Sequence, residues 1–369
     1  MAGGNREEIL QSIWQPPQEW KQDGAWLWWF WIFFIHDENT KKTGKCRQLM
    51  ILWSIKKDGE IKCNSLDIRI PRQLEARSDG TYSLNGAAAA WYFDGEKMHD
   101  DFVLETSCMT LDPRSRSLVA PGKTPSSFSQ RGEDFITRIK SGGIEFEFVA
   151  RQTDLHTAVG PNYGDTQFPA GMRIEGTRIE TMSLSGTEAH NGSKRALSGT
   201  AYFQKILLAA PPPPWYWGLY HFSDGSFFTY MVPYAGRSML ADNAWAGARL
   251  KKPSFPLKQD VFLYHAPSKR VFDGHCLSVT PSQIGETDTW QHEMKGSGSD
   301  FEITATARAY SHACWSFRKK IGALPLRSSF KYNEYPSVLE SLELTTNSGE
   351  VIRLKNGWGN MENAWGFII

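Results

Sequence analysis

Across its 369 residues the sequence holds no G-x-x-x-x-G-K phosphate loop, no G-x-G-x-x-G turn, no G-x-S-x-G nucleophile elbow and no H-E-x-x-H zinc helix. Nucleotide, serine-hydrolase and zincin chemistry are therefore left without their usual signatures. Cysteine is scarce. Cys46, Cys63, Cys108, Cys276 and Cys314 are odd in number and never spaced C-x-x-C. That excludes a disulfide framework or structural zinc site and points to a reducing, cytoplasmic setting. The nine histidines are dispersed, and no two stand at ligand spacing on one strand or helix, so neither a metal nor a cofactor is expected.

Neither sign of charge dominates. Lys and Arg number 41 against 40 Asp and Glu, a net charge of +1. Such a balance carries no nucleic-acid footprint and no electrostatic pull toward anionic membranes. Long apolar runs are missing too. The greasiest stretch, AWLWWFWIFFI at 25–35, falls short of the ~20 residues a membrane-spanning helix needs and reads as a buried aromatic strand. Transient membrane contact during ligand uptake is the one membrane association left open. The start, MAGGNREEILQSIWQPP, is polar and mixed in charge, so no secretory signal is expected. Helical periodicity is confined to residues 6–14, where Ile9, Leu10 and Ile13 form a stripe before Pro16-Pro17.

What the chain has is aromatic residues and turns: 15 Trp, 21 Phe and 12 Tyr, with D-G, G-G and N-S-G punctuating short alternating runs. Many short strands joined by such turns predict an all-β fold of barrels or sandwiches. The clearest hairpin is DFITRIK, a turn at Gly142-Gly143, then IEFEFVARQ. It pairs Lys140 with Glu145 and Arg138 with Glu147 on a wet face, and Ile139 with Phe146 and Thr137 with Phe148. Residues 112–131 and 186–197 read as polar loops, and 154–170 as a Gly/Pro-rich loop with the character of a lid. The strand count suggests two barrels, with the division near 211–240: an extension over 1–20, one barrel over 21–215 and another over 216–369.

The stretch from Gly199 to Tyr234 organises the rest. Residues 199–210 form one strand, Pro211 to Pro214 interrupt it, and Trp215–Phe222 and Phe227–Val232 form a hairpin around Asp224-Gly225. With a two-residue loop, Phe222 faces Phe227, His221 faces Phe228 and Leu219 faces Tyr230. Trp215, Trp217, His221, Phe228 and Tyr230 then share one face. His221 and Tyr230 are the polar points of that face, as a proton relay or ligand hook. The alternative for His221 is a hydrogen-bonded core histidine. Gln204 lies with Tyr202 among apolar neighbours, so if buried it needs a partner, either a ligand or a site residue. Trp29 and Trp31 of the first aromatic run join these as candidate ligand-wall residues.

Two carboxylates stand among aromatics rather than on a charged face: Glu334 in KYNEYPS and Glu362 in GWGNMENAWGFII. A carboxyl held against aromatic walls has a raised pKa and can act as an acid near neutral pH. The alternative is that each pairs with an arginine or caps a turn. Asp94 and His99 read as a solvated turn.

The block GTAYFQK…PWYWGLYHFSDGSFFTY, with the aromatic start WLWWFWIFF, resembles the lipocalin-like superfamily of carotenoid 1,2-hydratase (hydroxyneurosporene synthase) and the AttH-like proteins. Tocopherol cyclases and fungal Diels–Alderases are more distant look-alikes. The resemblance implies two tandem lipocalin-like antiparallel β-barrels and a hydrophobic isoprenoid or polyene ligand. It also implies cofactor-free chemistry on that ligand: protonation of a C=C bond, then water addition, cyclisation or isomerisation. In the hydratases an aspartate–histidine pair follows the tyrosine of the matching strand. Here those positions are Phe203 and Gln204, and Val232 stands where an acidic residue is expected.

The acid therefore falls to Glu334 or Glu362. His221 and Tyr230 would orient it, and Trp215 and Trp217 would face a developing cation. A carrier that only binds the ligand is the alternative, and a scaffold whose aromatics fill both barrels is a third reading.

Overall fold

The computed structural model describes residues 6–16, 25–56, 60–69, 74–152, 166–167, 173–209, 213–235, 255–283, 290–320 and 327–367. The expected lid over 154–170 and a strand expected near 245–251 fall almost wholly outside them. The fold is all-β, in two units. Among the described residues no helix is long and apolar enough to cross a membrane.

The first unit comprises residues 1–35, 49–92 and 101–211. Its sheet runs Ile144–Gln152, Asp134–Ser141, Ser126–Arg131, Ser117–Ala120, Met98–Asp112, Tyr82–Phe93, Arg47–Lys56, Trp26–Ile35, Ser193–Ala209 and Arg173–His190. Pairing of Ile144–Gln152 with Arg173–His190 closes these ten strands into an antiparallel barrel. Closure gives each of these ten strands a partner on both sides. Alternate residues point inward, so Trp29, Trp31, Phe33, Phe135, Phe146, Phe148 and Phe203 all join one core. The Gly142-Gly143 hairpin keeps its expected register, with Lys140 opposite Glu145 and Arg138 opposite Glu147. Both glycines have positive φ, 56° and 79°, as a two-residue hairpin loop needs. Helix Arg6–Ser12 and the turn after it lay Leu10, Ile13 and Trp14 on the same core. Trp29 Nε1 donates to Ile13 O at 2.9 Å and Lys205 Nζ donates to Ser12 O and Gln15 O at 2.5 Å, fastening that segment down.

The second unit comprises residues 36–48, 93–100 and 212–369. Its strand path is Arg270–Gly274, Asp260–His265, Phe227–Ala235, Trp215–His221, Val351–Phe367, Arg327–Thr346, Phe301–Ala309, Trp290–Ser297 and Cys276–Gln283. Residues from every strand of that path, Phe272 and Leu277 at its two ends included, meet in a single core cluster. A sheet whose two ends share one core is rolled into a barrel. The long strand Arg327–Thr346 pairs with Ala313–Lys320 along its first half and with Phe301–Ala309 along its second.

Three expectations are corrected. Residues 112–131 are no long loop but contain Ser117–Ala120 and Ser126–Arg131, two short strands of the barrel wall. Residues 186–197 are no polar loop either. Two long strands run through to a tight Asn191-Gly192 turn, with φ of 50° and 82°. Most of their polar residues are exposed, while Glu188 is buried opposite Phe146 and paired with Arg195.

The central hairpin slips by one residue. Its loop is Ser223-Asp224-Gly225, because Phe222 N donates to Ser226 O at 3.0 Å and Asp224 Oδ1 accepts from Ser226 N at 2.9 Å. Gly225 takes the left-handed position, φ 88°. Leu219 therefore faces Thr229, Tyr220 faces Phe228 and His221 faces Phe227. A slip of one exchanges the faces. Tyr230 and Phe228 turn into the core, while Trp215, Trp217 and His221 lie on the opposite side.

Candidate functional site

The face of the second sheet turned away from its core carries the two carboxylates. Ala313, Glu334, Glu362, Trp217 and Met231 are successive cross-strand partners in one row. The row beside it holds Trp315, Tyr332, Ala364 and Trp215, and the row on the other side holds Pro336, Asn360, Leu219 and Thr229. Directly opposed side chains on antiparallel strands have Cβ atoms about 5 Å apart, so Glu334 and Glu362 are forced together by register alone. Both are buried, at 1% and 4% exposure.

Their partners are neutral. The Tyr332 hydroxyl meets Glu334 Oε1 and lies 2.8 Å from Glu362 Oε1. Trp215 Nε1 donates to Glu362 Oε2 at 2.5 Å, and Asn360 Nδ2 donates to Glu334 Oε2. A phenol has one proton. It donates to one carboxylate, and the contact with the other is a hydrogen bond only if that carboxyl is itself protonated. Electrostatics demands the same, since two adjacent buried carboxylates do not both ionise readily. Burial pushes Glu334 well above the usual carboxylate range, and repulsion from Glu362 adds to it. Burial also raises Glu362, to about 7, while hydrogen bonds from Trp215, Tyr332 and Glu334 hold it down. The two titrate as a unit that retains a proton near neutral pH, with Glu334 the stronger holder.

Aromatic rings wall the pair. Trp215 lies 5.4 Å from Phe330 and 5.8 Å from Tyr332, and Trp315 lies 6.3 Å from Tyr332, all between ring centroids. The arrangement is an acid, its conjugate base and a hydroxyl relay among indole and phenol faces.

Of the residues singled out in the sequence, Glu334, Glu362, Trp215 and Trp217 come together here. His221 shares their face and is buried, but it stands four residues beyond Trp217, about 13 Å along the strand. Tyr230 is corrected to the opposite face, where its hydroxyl lies 2.6 Å from His292 Nδ1, and Phe228 goes with it into the core. The expected orientation of the acid by His221 and Tyr230 is thus overturned by distance in one case and by the register slip in the other. Tyr202 and Gln204 lie in the first unit and answer each other, Tyr202 Oη donating to Gln204 Oε1 at 2.9 Å. Trp29 and Trp31 are interior to the first barrel, Trp31 stacked at 5.2 Å on Phe33. Asp94 and His99 form the expected turn, with 2.8 Å between His99 Nε2 and Asp94 Oδ2.

Tyr332 and Asn360 were not singled out. The signal was present: each stands two residues from a candidate carboxylate, hence on the same face once the segment is read as a strand.

No protein-family model and no curated protein sequence matches the chain. Among solved structures it is similar to an AttH candidate from Nitrosomonas europaea, 12% identical over 92% of each chain with a TM-score of 0.49. It is similar also to kievitone hydratase from Nectria haematococca, 12% identical over 93% of this chain and 89% of that one, TM-score 0.46. A third is CghA, 10% identical over 92% and 88%, TM-score 0.43.

Proposed function

We propose that the protein binds a hydrophobic isoprenoid or polyene molecule and performs acid chemistry on it without a redox cofactor. One observation carries this reading: a Glu334–Glu362 pair bridged by the Tyr332 hydroxyl, buried among aromatic rings and hydrogen-bonded to the neutral side chains of Trp215 and Asn360. A carboxyl that stays protonated near neutral pH in an apolar enclosure is a general acid suited to a substrate without charge.

In the reaction the pair's O–H bond breaks and its proton goes to one carbon of a C=C bond, whose π electrons form the new C–H bond. The carbocation left on the other carbon sits against the faces of Trp215, Trp217 and Tyr332, which attract cations through their ring quadrupoles. Water attack followed by proton loss gives hydration. Attack by a second C=C followed by proton loss gives cyclisation, and proton loss alone gives isomerisation. Each returns a proton to the carboxylate pair, so the cycle closes. Glu334 is the proton donor, Glu362 the adjacent base and Tyr332 the link between them.

Lycopene and farnesol incubated with the protein in D2O test this by mass spectrometry. Deuterium incorporation or a hydrated or cyclised product is expected, reduced about a hundredfold or more in Glu334→Gln and Glu362→Gln. Unchanged incorporation in both variants removes the mechanism. Retention of the probe with no product and no deuterium in the wild type favours a carrier.

A further inference from the structure

The strands that carry the dicarboxylate on one face carry a different chemistry on the other. Asn333 and Asn363 are cross-strand partners pointing into the core of the second unit, and Tyr216 is the next partner of Asn363. Asn333 is fully used. Its Nδ2 donates to Asn363 O at 2.9 Å and its Oδ1 lies 2.8 Å from His312 Nε2. Asn363 is not. Its side chain is 0% exposed, yet among the described residues both its Nδ2 and its Oδ1 lack a partner.

Across the same interior stands His292, also 0% exposed. Its Nδ1 is 2.6 Å from the Tyr230 hydroxyl, and its Nε2 has no partner among the described residues. The two orphaned side chains share a neighbour: Tyr216 stands opposite Asn363 and meets the His292 ring edge-on at 5.5 Å between centroids. Tyr216 stacks on Tyr234 at 4.9 Å and remains partly exposed. Elsewhere the interior is largely apolar, with Ile303, Leu342, Leu344, Phe228 and Phe272.

Folded proteins rarely leave buried amides and imidazoles unanswered, and several orphans converging on one ring mark a place built for an occupant. The chemistry of the occupant follows. Asn363 offers a donor and an acceptor side by side, and a hydroxyl, which both donates and accepts, answers His292 Nε2 in either tautomer. The groups that converge are an amide, an imidazole and phenols, and burial holds the imidazole neutral, at about 3. A charged ligand would find no counter-ion among them. Tyr216 and Tyr234 supply flat faces for a ring.

We infer that the interior of the second unit holds a binding site, separate from the dicarboxylate, for a neutral ring-bearing molecule with hydroxyl groups, seated against Tyr216 between His292 and Asn363. The site does not depend on the proposed acid chemistry. It lies on the other side of the same strands.

Resorcinol, a small dihydroxylated ring, is the probe. Crystals of the full chain soaked with it are expected to show the ring against Tyr216, with its oxygens in hydrogen-bond reach of His292 Nε2 and the Asn363 amide. Titration calorimetry on His292→Phe and Asn363→Leu should then show affinity reduced about tenfold or more in each. Circular dichroism melts establish that the variants fold. Ordered water alone at both orphaned groups in the soaked wild-type crystal overturns the proposal whatever the variants do. So does equal affinity in wild type and in either folded variant.

Discussion

Tyr332 has a single proton to place between two carboxyl groups, and the chemistry assigned to this protein follows from that shortage. Removing the hydroxyl takes away a bond that favours the ionised form of Glu362. In Tyr332→Phe the pair therefore titrates higher. Its pH–rate profile should fall off at higher pH than in the wild type, with turnover reduced about a hundredfold for want of the relay. In the wild type, activity that needs the Glu334 proton persists through the Glu362 ionisation near pH 7 and declines as pH rises above it.

Stability has the same sign. The folded state holds a proton that an unfolded Glu362 releases above its ordinary value of 4.5, so stability falls between about pH 4.5 and 7. Glu362→Gln removes that slope. Its melting temperature should exceed the wild type's at pH 8 by several degrees, about 2–4 °C for each kcal/mol relieved, and the excess should vanish near pH 4.5. Scanning calorimetry at the two pH values checks it.

The two acids were legible in the sequence because carboxylates flanked by aromatics are unusual. That they face each other was not, since nothing within either segment states the pairing of residue 334 with residue 362.

At the scale of strands and turns, the two hairpins show what local sequence decides. Gly142-Gly143 fixes its register, because two adjacent residues at positive φ permit a two-residue loop. Asp224-Gly225 does not. The aspartate bonds to the Ser226 amide and leaves only Gly225 left-handed, so Ser223 joins the loop and the strands slip by one. With that slip Tyr230 and Phe228 face the core, on the side opposite Trp217 and its partner Glu362.

Gly218 shows how closely the two faces are matched. A Cβ there would meet the Tyr230 ring at 2.5 Å. Gly218→Ala should cost about 1–3 kcal/mol by overpacking, read from chemical denaturation. In the first unit, Lys205→Met strips the Ser12 and Gln15 carbonyls of their donor, and the expected loss is about 1–3 kcal/mol. Proteolysis near residue 15 should accelerate alongside it. The polar stretches misread as loops had outward-facing serines, threonines and charges, which period-two reading cannot separate from a loop when the inward residues are as small as Ala120.

Over the whole chain, all-β architecture was readable because turn signals recur and helical periodicity is confined to one segment. The membership of the units was less so. Residues 36–48 and 93–100 belong with the second unit although they precede most of the first in sequence. The second unit then places the Glu334–Glu362 pair on one face of its sheet and an uncharged polar cluster on the other. Alternation along Arg327–Thr346 and Val351–Phe367 keeps Glu334 and Glu362 apart from Asn333 and Asn363. A single-residue insertion ahead of Glu362 would exchange the two sets and abolish both.

The central claim is that Glu334 and Glu362 together keep a proton near neutral pH. Infrared difference spectroscopy of the protonated-carboxyl C=O stretch, recorded for wild type and for the Glu334→Gln, Glu362→Gln double variant while pH is raised from about 5 to 9, measures that directly. The account predicts a band in the wild type that persists at pH 7, bleaches above it and is missing from the double variant. Spectra that coincide at pH 7, with every carboxyl already ionised, would contradict it.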